Sequence, residues 1–172
     1  YGNVEGTWTA ANSPYMLTGD TYVWENDSLI IEPGVEVLIS GQHNVSIRGY
    51  LYAVGTVTDS IVFHGLNTDH PGNWNGLAFD YNYNTPGPDG TLSHFRIDGG
   101  GNNMWWPSAG LAIGDRKGNI SISHGLLTKS AYNGIRVYSM DGTSTDSAYI
   151  TLSNILVDGA GDNGLEITDN YY

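Results

Sequence analysis

Leu92-Ser93-His94, Ile122-Ser123-His124 and Leu152-Ser153-Asn154 recur at one fixed interval, and each is followed three positions after its polar residue by an apolar one: Ile97, Leu127 and Val157. Further on, Tyr132-Asn133-Gly134-Ile135-Arg136-Val137 is matched, at the same interval, by Asp162-Asn163-Gly164-Leu165-Glu166-Ile167. The earlier counterpart of that segment, Gly110-Leu111-Ala112-Ile113, lies closer to it than this interval allows. Unequal spacing within one pattern means loops of unequal length, so a bare repeat of about 24 residues carries insertions in different places. Short alternating apolar runs at such a period predict a β-solenoid, in which each repeat buries its apolar side against the next.

Working back toward the N-terminus, the alternation continues in TYVW (21–24), SLIIEPGVEVLIS (28–40), NVSIRG (44–49), YLYAVG (50–55) and SIVFHG (60–65). A period of two turns Leu29, Ile31, Val35, Val37, Ile39, Val45, Ile47, Leu51, Ala53, Ile61 and Phe63 inward. Pro33-Gly34 and the glycines at 41, 49, 55 and 65 supply corners. Residues 1–19 are turn-rich and aromatic and precede the first clear strand, which suits an N-terminal cap over the exposed first rung. Residues 20–172 then form the rungs of a single domain, with loop insertions near 81–90, 99–108 and 139–147. His94, His124 and Asn154 fall between inward pairs and so form a stacked corner, where His and Asn tolerate a left-handed backbone.

The run from Ser28 to Gly65, followed by NWNGLAF (73–79), resembles the opening of secreted bacterial right-handed parallel β-helix proteins of the pectin-lyase-like fold. Their pattern is an L-x-I-x-P-G-V-x-V strand pair, a G-x-L-x-A-x-G-T turn, an I-x-F strand and then W-x-G-I. The resemblance spans nearly the whole chain. It implies an all-β right-handed parallel β-helix of about six rungs, roughly 30 Å long at about 4.8 Å per rung. It also implies a secreted, extracellular or cell-surface protein.

Composition narrows the partners. The formal charge is −12 with six Lys and Arg among 172 residues, which argues against nucleic acid and anionic lipid. No run of 18 apolar residues offers a helical membrane span. The absence of cysteine removes disulfides from the account.

Enzymes of the resembled fold work on the face that here carries Arg136 and Glu166. A glycosidase needs two carboxylates, and a lyase needs a cation beside a base. Arg136 and Glu166 instead fall in register on adjacent rungs, the arrangement of a cross-strand ion pair. The chain has no cluster of three aspartates and no Lys/Arg pair where those enzymes place them, so no catalytic residue carries over and a non-catalytic chain is expected.

Asp98, Asp141, Asp146, Asp158 and Asp162 crowd Gly- and Asn-rich turns. They suit Ca²⁺ as oxygen ligands, and they equally suit solvated turns that need positive φ. Trp105 and Trp106 cannot both face a core; with Tyr81 and Tyr83 they form a candidate carbohydrate or protein contact, or a patch that covers itself. Trp8 and Tyr15 near one end and Tyr171 and Tyr172 at the other are candidates for end-to-end contact between copies or with neighbouring domains of a longer polypeptide. The function expected is an extracellular structural or adhesive module, in the extreme a head-to-tail filament subunit; the alternative is a carbohydrate-binding or carbohydrate-active protein.

Overall fold

The structure, a computed structural model, describes residues 2–67, 69–80, 88–103, 107–114, 118–139 and 149–169. The described residues are all-β, with no α-helix, and every pairing between strands is parallel. Three short strands come first, β1 (Gly2–Asn3), β2 (Gly6–Trp8) and β3 (Tyr15–Leu17). They are followed by β4 (Thr21–Val23), β5 (Ser28–Ile31) and β6 (Glu36–Ile39), then by β7 (Asn44–Ile47), β8 (Tyr50–Val54) and β9 (Ile61–Gly65). From there each pass of the chain has two strands: β10 (Gly76–Phe79) and β11 (Asp89–Asp98), β12 (Ala109–Gly114) and β13 (Asn119–Thr128), β14 (Asn133–Ser139) and β15 (Tyr149–Asp158). The last is β16 (Leu165–Asp169).

Each strand pairs with its counterpart one pass away. One sheet runs β1-β4-β7-β10-β12-β14-β16. In the other, β2-β5-β8 and β3-β6-β9 are separate ladders that merge on β11, and β13 and β15 extend it. The first half of β11 pairs with β8 and the second half with β9. This architecture is consistent with the solenoid expected from the repeat.

The merger has a local cause. Between Val54 and Ile61 the chain needs a loop, pinned by Asp59, whose backbone N–H donates to Thr56 Oγ1 at 2.9 Å. One pass later the same gap, between Ser93 and Phe95, is closed by His94 alone, with φ at +48°. The two corners approach so closely that a Cβ on Gly55 would sit 2.4 Å from the His94 carbonyl oxygen. Only glycine fits there.

All the residues expected to point inward from Leu29 to Phe63 are buried. Register holds them in columns: Val45, Leu77, Leu111, Ile135 and Leu165 are successive Cα partners. Packing along a column trades volume between passes. Phe95 lies over Gly125, where an added Cβ would come within 2.3 Å of the ring.

Two boundaries differ from the sequence reading. Residues 1–19 do more than cover the first rung, because β1, β2 and β3 supply a short pass of their own, paired to β4, β5 and β6. Strands this short cannot show an alternation. Asp89 and Gly90, placed in an insertion by sequence, are already strand, paired to Tyr50 and Leu51.

Gly125→Ala is expected to lower the unfolding free energy by about 2 kcal/mol, an overpacking cost. Combined with Phe95→Leu, the loss should be clearly less than additive in chemical denaturation. Val57→Ala, at a position 86% exposed, should stay within about 0.5 kcal/mol of wild type.

Candidate functional site

The outer wall of the first sheet carries the charged groups singled out by sequence. Strand alternation places Ser46, Ala78, Ala112, Arg136 and Glu166 in one outward row. Arg136 Nε lies 2.9 Å from Glu166 Oε2, an ion pair by distance whose N–H does not lie along the contact. Arg136 Nη1 donates to Ser108 Oγ at 2.6 Å, and the guanidinium sits 5.3 Å from the centre of the Tyr138 ring. Glu166 Oε2 also accepts from Asn133 Nδ2 at 2.8 Å. Asn133 Oδ1 in turn accepts from the Asn163 backbone N–H and from Asn163 Nδ2, both at 3.2 Å. The carboxylate is therefore held by a guanidinium and an amide, and the side chains of Ser108, Asn133, Arg136, Asn163 and Glu166 link three consecutive passes.

The next outward row repeats the motif toward the N-terminus. Arg48 donates from Nε and Nη2 to Asp80 Oδ2 at 3.1 and 2.9 Å. Its guanidinium lies 4.8 Å from the Trp24 ring and 5.4 Å from the Tyr22 ring, and those two rings stack 5.1 Å apart. Between the two arginine clusters Ala78 and Ala112 face outward yet are fully buried. The outer wall is not bare there.

His94, His124 and Asn154 occupy consecutive passes at one corner, with φ of +48°, +52° and +53°. The two imidazoles stack at 4.5 Å with their planes 2° apart. Asn154 Nδ2 lies 3.3 Å from His124 Nε2, and Ser93 Oγ lies 3.1 Å from His94 Nδ1. Ser123 Oγ donates to Ser93 Oγ at 2.9 Å, a second ladder beside the first. An α-left corner costs a β-carbon residue energy, and stacking from pass to pass offsets part of it.

The calcium candidates do not converge in the described residues. Asp98 is 5% exposed; Oδ1 accepts from Thr128 Oγ1 at 2.6 Å and Oδ2 from Arg96 Nη2 at 3.0 Å. Asp158 and Asp162 are exposed, and Asp141 and Asp146 lie outside the described residues. Among the described residues no group of three His, Asp or Glu side chains is placed to hold a metal ion.

Of the aromatic candidates, Trp105, Trp106, Tyr81, Tyr83, Tyr171 and Tyr172 lie outside the described residues. Trp8 is 7% exposed and stacks on Tyr15 at 4.7 Å, so these two rings pack within the first pass. The polar, turn-rich stretch 66–75 reads as a loop from sequence, yet Trp74 within it is fully buried and donates its Nε1–H to the Asp98 carbonyl oxygen at 2.9 Å. Sequence reasoning also passes over Asn133, although the paired Asn-Gly at 133–134 and 163–164 is the available signal.

Compared with known proteins, the chain matches no family model, no curated protein and no solved structure.

A double-mutant cycle of Arg136→Ala and Glu166→Gln should return a coupling of about 1 kcal/mol in equilibrium unfolding, as for a partly buried pair. At the corner, His124→Asn should leave stability within about 0.5 kcal/mol, because Asn tolerates positive φ. His124→Val should cost about 2 kcal/mol in the same measurement, because a β-branched side chain does not tolerate it.

Proposed function

We propose that this chain is a right-handed parallel β-helix of about six rungs that serves as a non-catalytic, extracellular structural or adhesive module. Parallel strands joined by crossovers in one sheet take the right-handed sense in about 98% of cases, which supports the handedness. The observation that carries the non-catalytic reading is the pairing of all three described arginines with carboxylates. Arg48 is bound to Asp80, Arg96 to Asp98 and Arg136 to Glu166.

Catalysis on this scaffold would need a cation or acid turned toward a substrate and a base within reach of it. Here the guanidinium groups instead tie side chains on the wall to one another, with rings alongside at Arg48 and Arg136. That use of charge suits a stiff wall more than a reacting centre. The resemblance of the 28–79 segment supports the extracellular reading, and the charge of −12 keeps such a surface apart from anionic polymers.

Incubation with acidic and neutral polysaccharides should release neither new reducing ends nor unsaturated products. Turnover that disappears in Arg136→Ala or Glu166→Ala would overturn the reading.

A further inference from the structure

The second sheet presents a different outer face from the first. Strand β8 begins Tyr50-Leu51-Tyr52; Leu51 is fully buried, while Tyr50 and Tyr52 are 41% and 44% exposed. Two positions apart on one strand, the tyrosines project from the same side with their Cβ atoms about 7 Å from each other. Ile30, the Cα partner of Tyr52, is 41% exposed on the same side. Three large side chains thus form an apolar plate on the outer face of this parallel sheet, with Thr91 continuing the row beyond Tyr52.

Tyr50 also forms one side of a groove of about 190 Å³, lined by Glu25, Asp27, Ser28, Arg48 and Asp89. The carboxylates of Asp27 and Asp89 line it beside one guanidinium, and Asp80 already neutralises that guanidinium. Asp27 accepts from Asn3 Nδ2 at 2.7 Å, and Asp89 accepts from the backbone N–H of Asn119. These bonds fix the two carboxylates in place at the groove.

An aromatic plate stacks on the apolar face of a pyranose ring, and a cation beside a phenol ring and carboxylates is held by charge and by the ring quadrupole. The negative charge of the groove and of the whole chain repels anionic polymers. We propose that this face binds a polysaccharide carrying amino groups, a glucosamine-type polymer, with sugar rings on Tyr50 and Tyr52 and an ammonium group in the groove beside Tyr50. The inference rests on the reading of the chain as a non-catalytic adhesive module and names the partner.

The test is retention of the intact chain by insoluble chitosan at physiological salt, with cellulose and polylysine beads in parallel. Chitosan should retain the wild type more strongly than cellulose does. Tyr50→Ser combined with Tyr52→Ser should weaken chitosan retention by about tenfold or more, and Tyr50→Phe with Tyr52→Phe should preserve it. Neither change alters the charge, and both fall at exposed strand positions, so unchanged circular dichroism is expected. Polylysine retention should be the same for all three proteins.

If the serine variant binds chitosan as tightly as wild type, the attraction is that of any polyanion for a polycation and the inference falls. If chitosan retains nothing, the inference also falls, while the non-catalytic reading stands. Shortening of the chitosan chains during incubation would overturn that reading itself.

Discussion

Backbone hydrogen bonds in this chain run from one pass to the next, so a residue's neighbours in a column are set by where the loops let the strands align. Asn44 sits under Gly76 and Ala109 under Asn133, although the stretch of chain between the first two is the longer. The difference is absorbed outside the strands. Within them the constraint is strict, because a shift of one residue would turn every inward side chain outward. Burial depends on the same stacking. Leu77 and Leu111 have a neighbour in the column on both sides and are fully buried. Leu165, paired on one side only among the described strands, is 49% exposed.

The same stacking that aligns the core also aligns the polar wall. At a spacing of about 4.8 Å, side chains in one column are close enough to bond and too close to ignore one another. Serine follows serine at 93 and 123, imidazole lies on imidazole at 94 and 124, and guanidinium meets carboxylate at 136 and 166. The planar guanidinium is suited to this role because it can bond a carboxylate at its edge while a ring packs on its face. Arg48 does both at once, with Asp80 at its edge and Trp24 and Tyr22 at its face. Charge on this wall is mostly a means of fixing the register of side chains that lie outside the core.

What could be read from the sequence follows from these constraints. The repeat of Leu92, Ile122 and Leu152 was legible because inward positions require apolar residues, and those three are indeed Cα partners in succession. The corner at His94, His124 and Asn154 was legible because a polar residue between two inward pairs has to break the alternation. The first pass was not, since β1, β2 and β3 are each only two or three residues long. Trp74 was hidden by its polar surroundings at 73 and 75, which read as a solvated loop. Tyr50 and Tyr52 were hidden differently. The period of two that turns Leu51 and Ala53 inward leaves the two tyrosines on the outer face, where alternation says nothing about what an exposed residue does.

That outer face is where such a chain is free to acquire function. Exchanging an inward residue disturbs a column shared by several passes, as the close fit of Phe95 over Gly125 illustrates. Exchanging an outward one changes the surface and leaves the ladder beneath it intact. The parallel ladder then holds the new groups at fixed separations, so little conformational freedom remains to be lost when a ligand lies across them. Extended, regularly repeating partners suit such a surface, since their own repeat can meet side chains offered at intervals along the strands and across the stack. The plate at Ile30, Tyr50 and Tyr52 beside the acidic groove has this character, and the wall of paired arginines on the first sheet does not: its charges are already satisfied by one another.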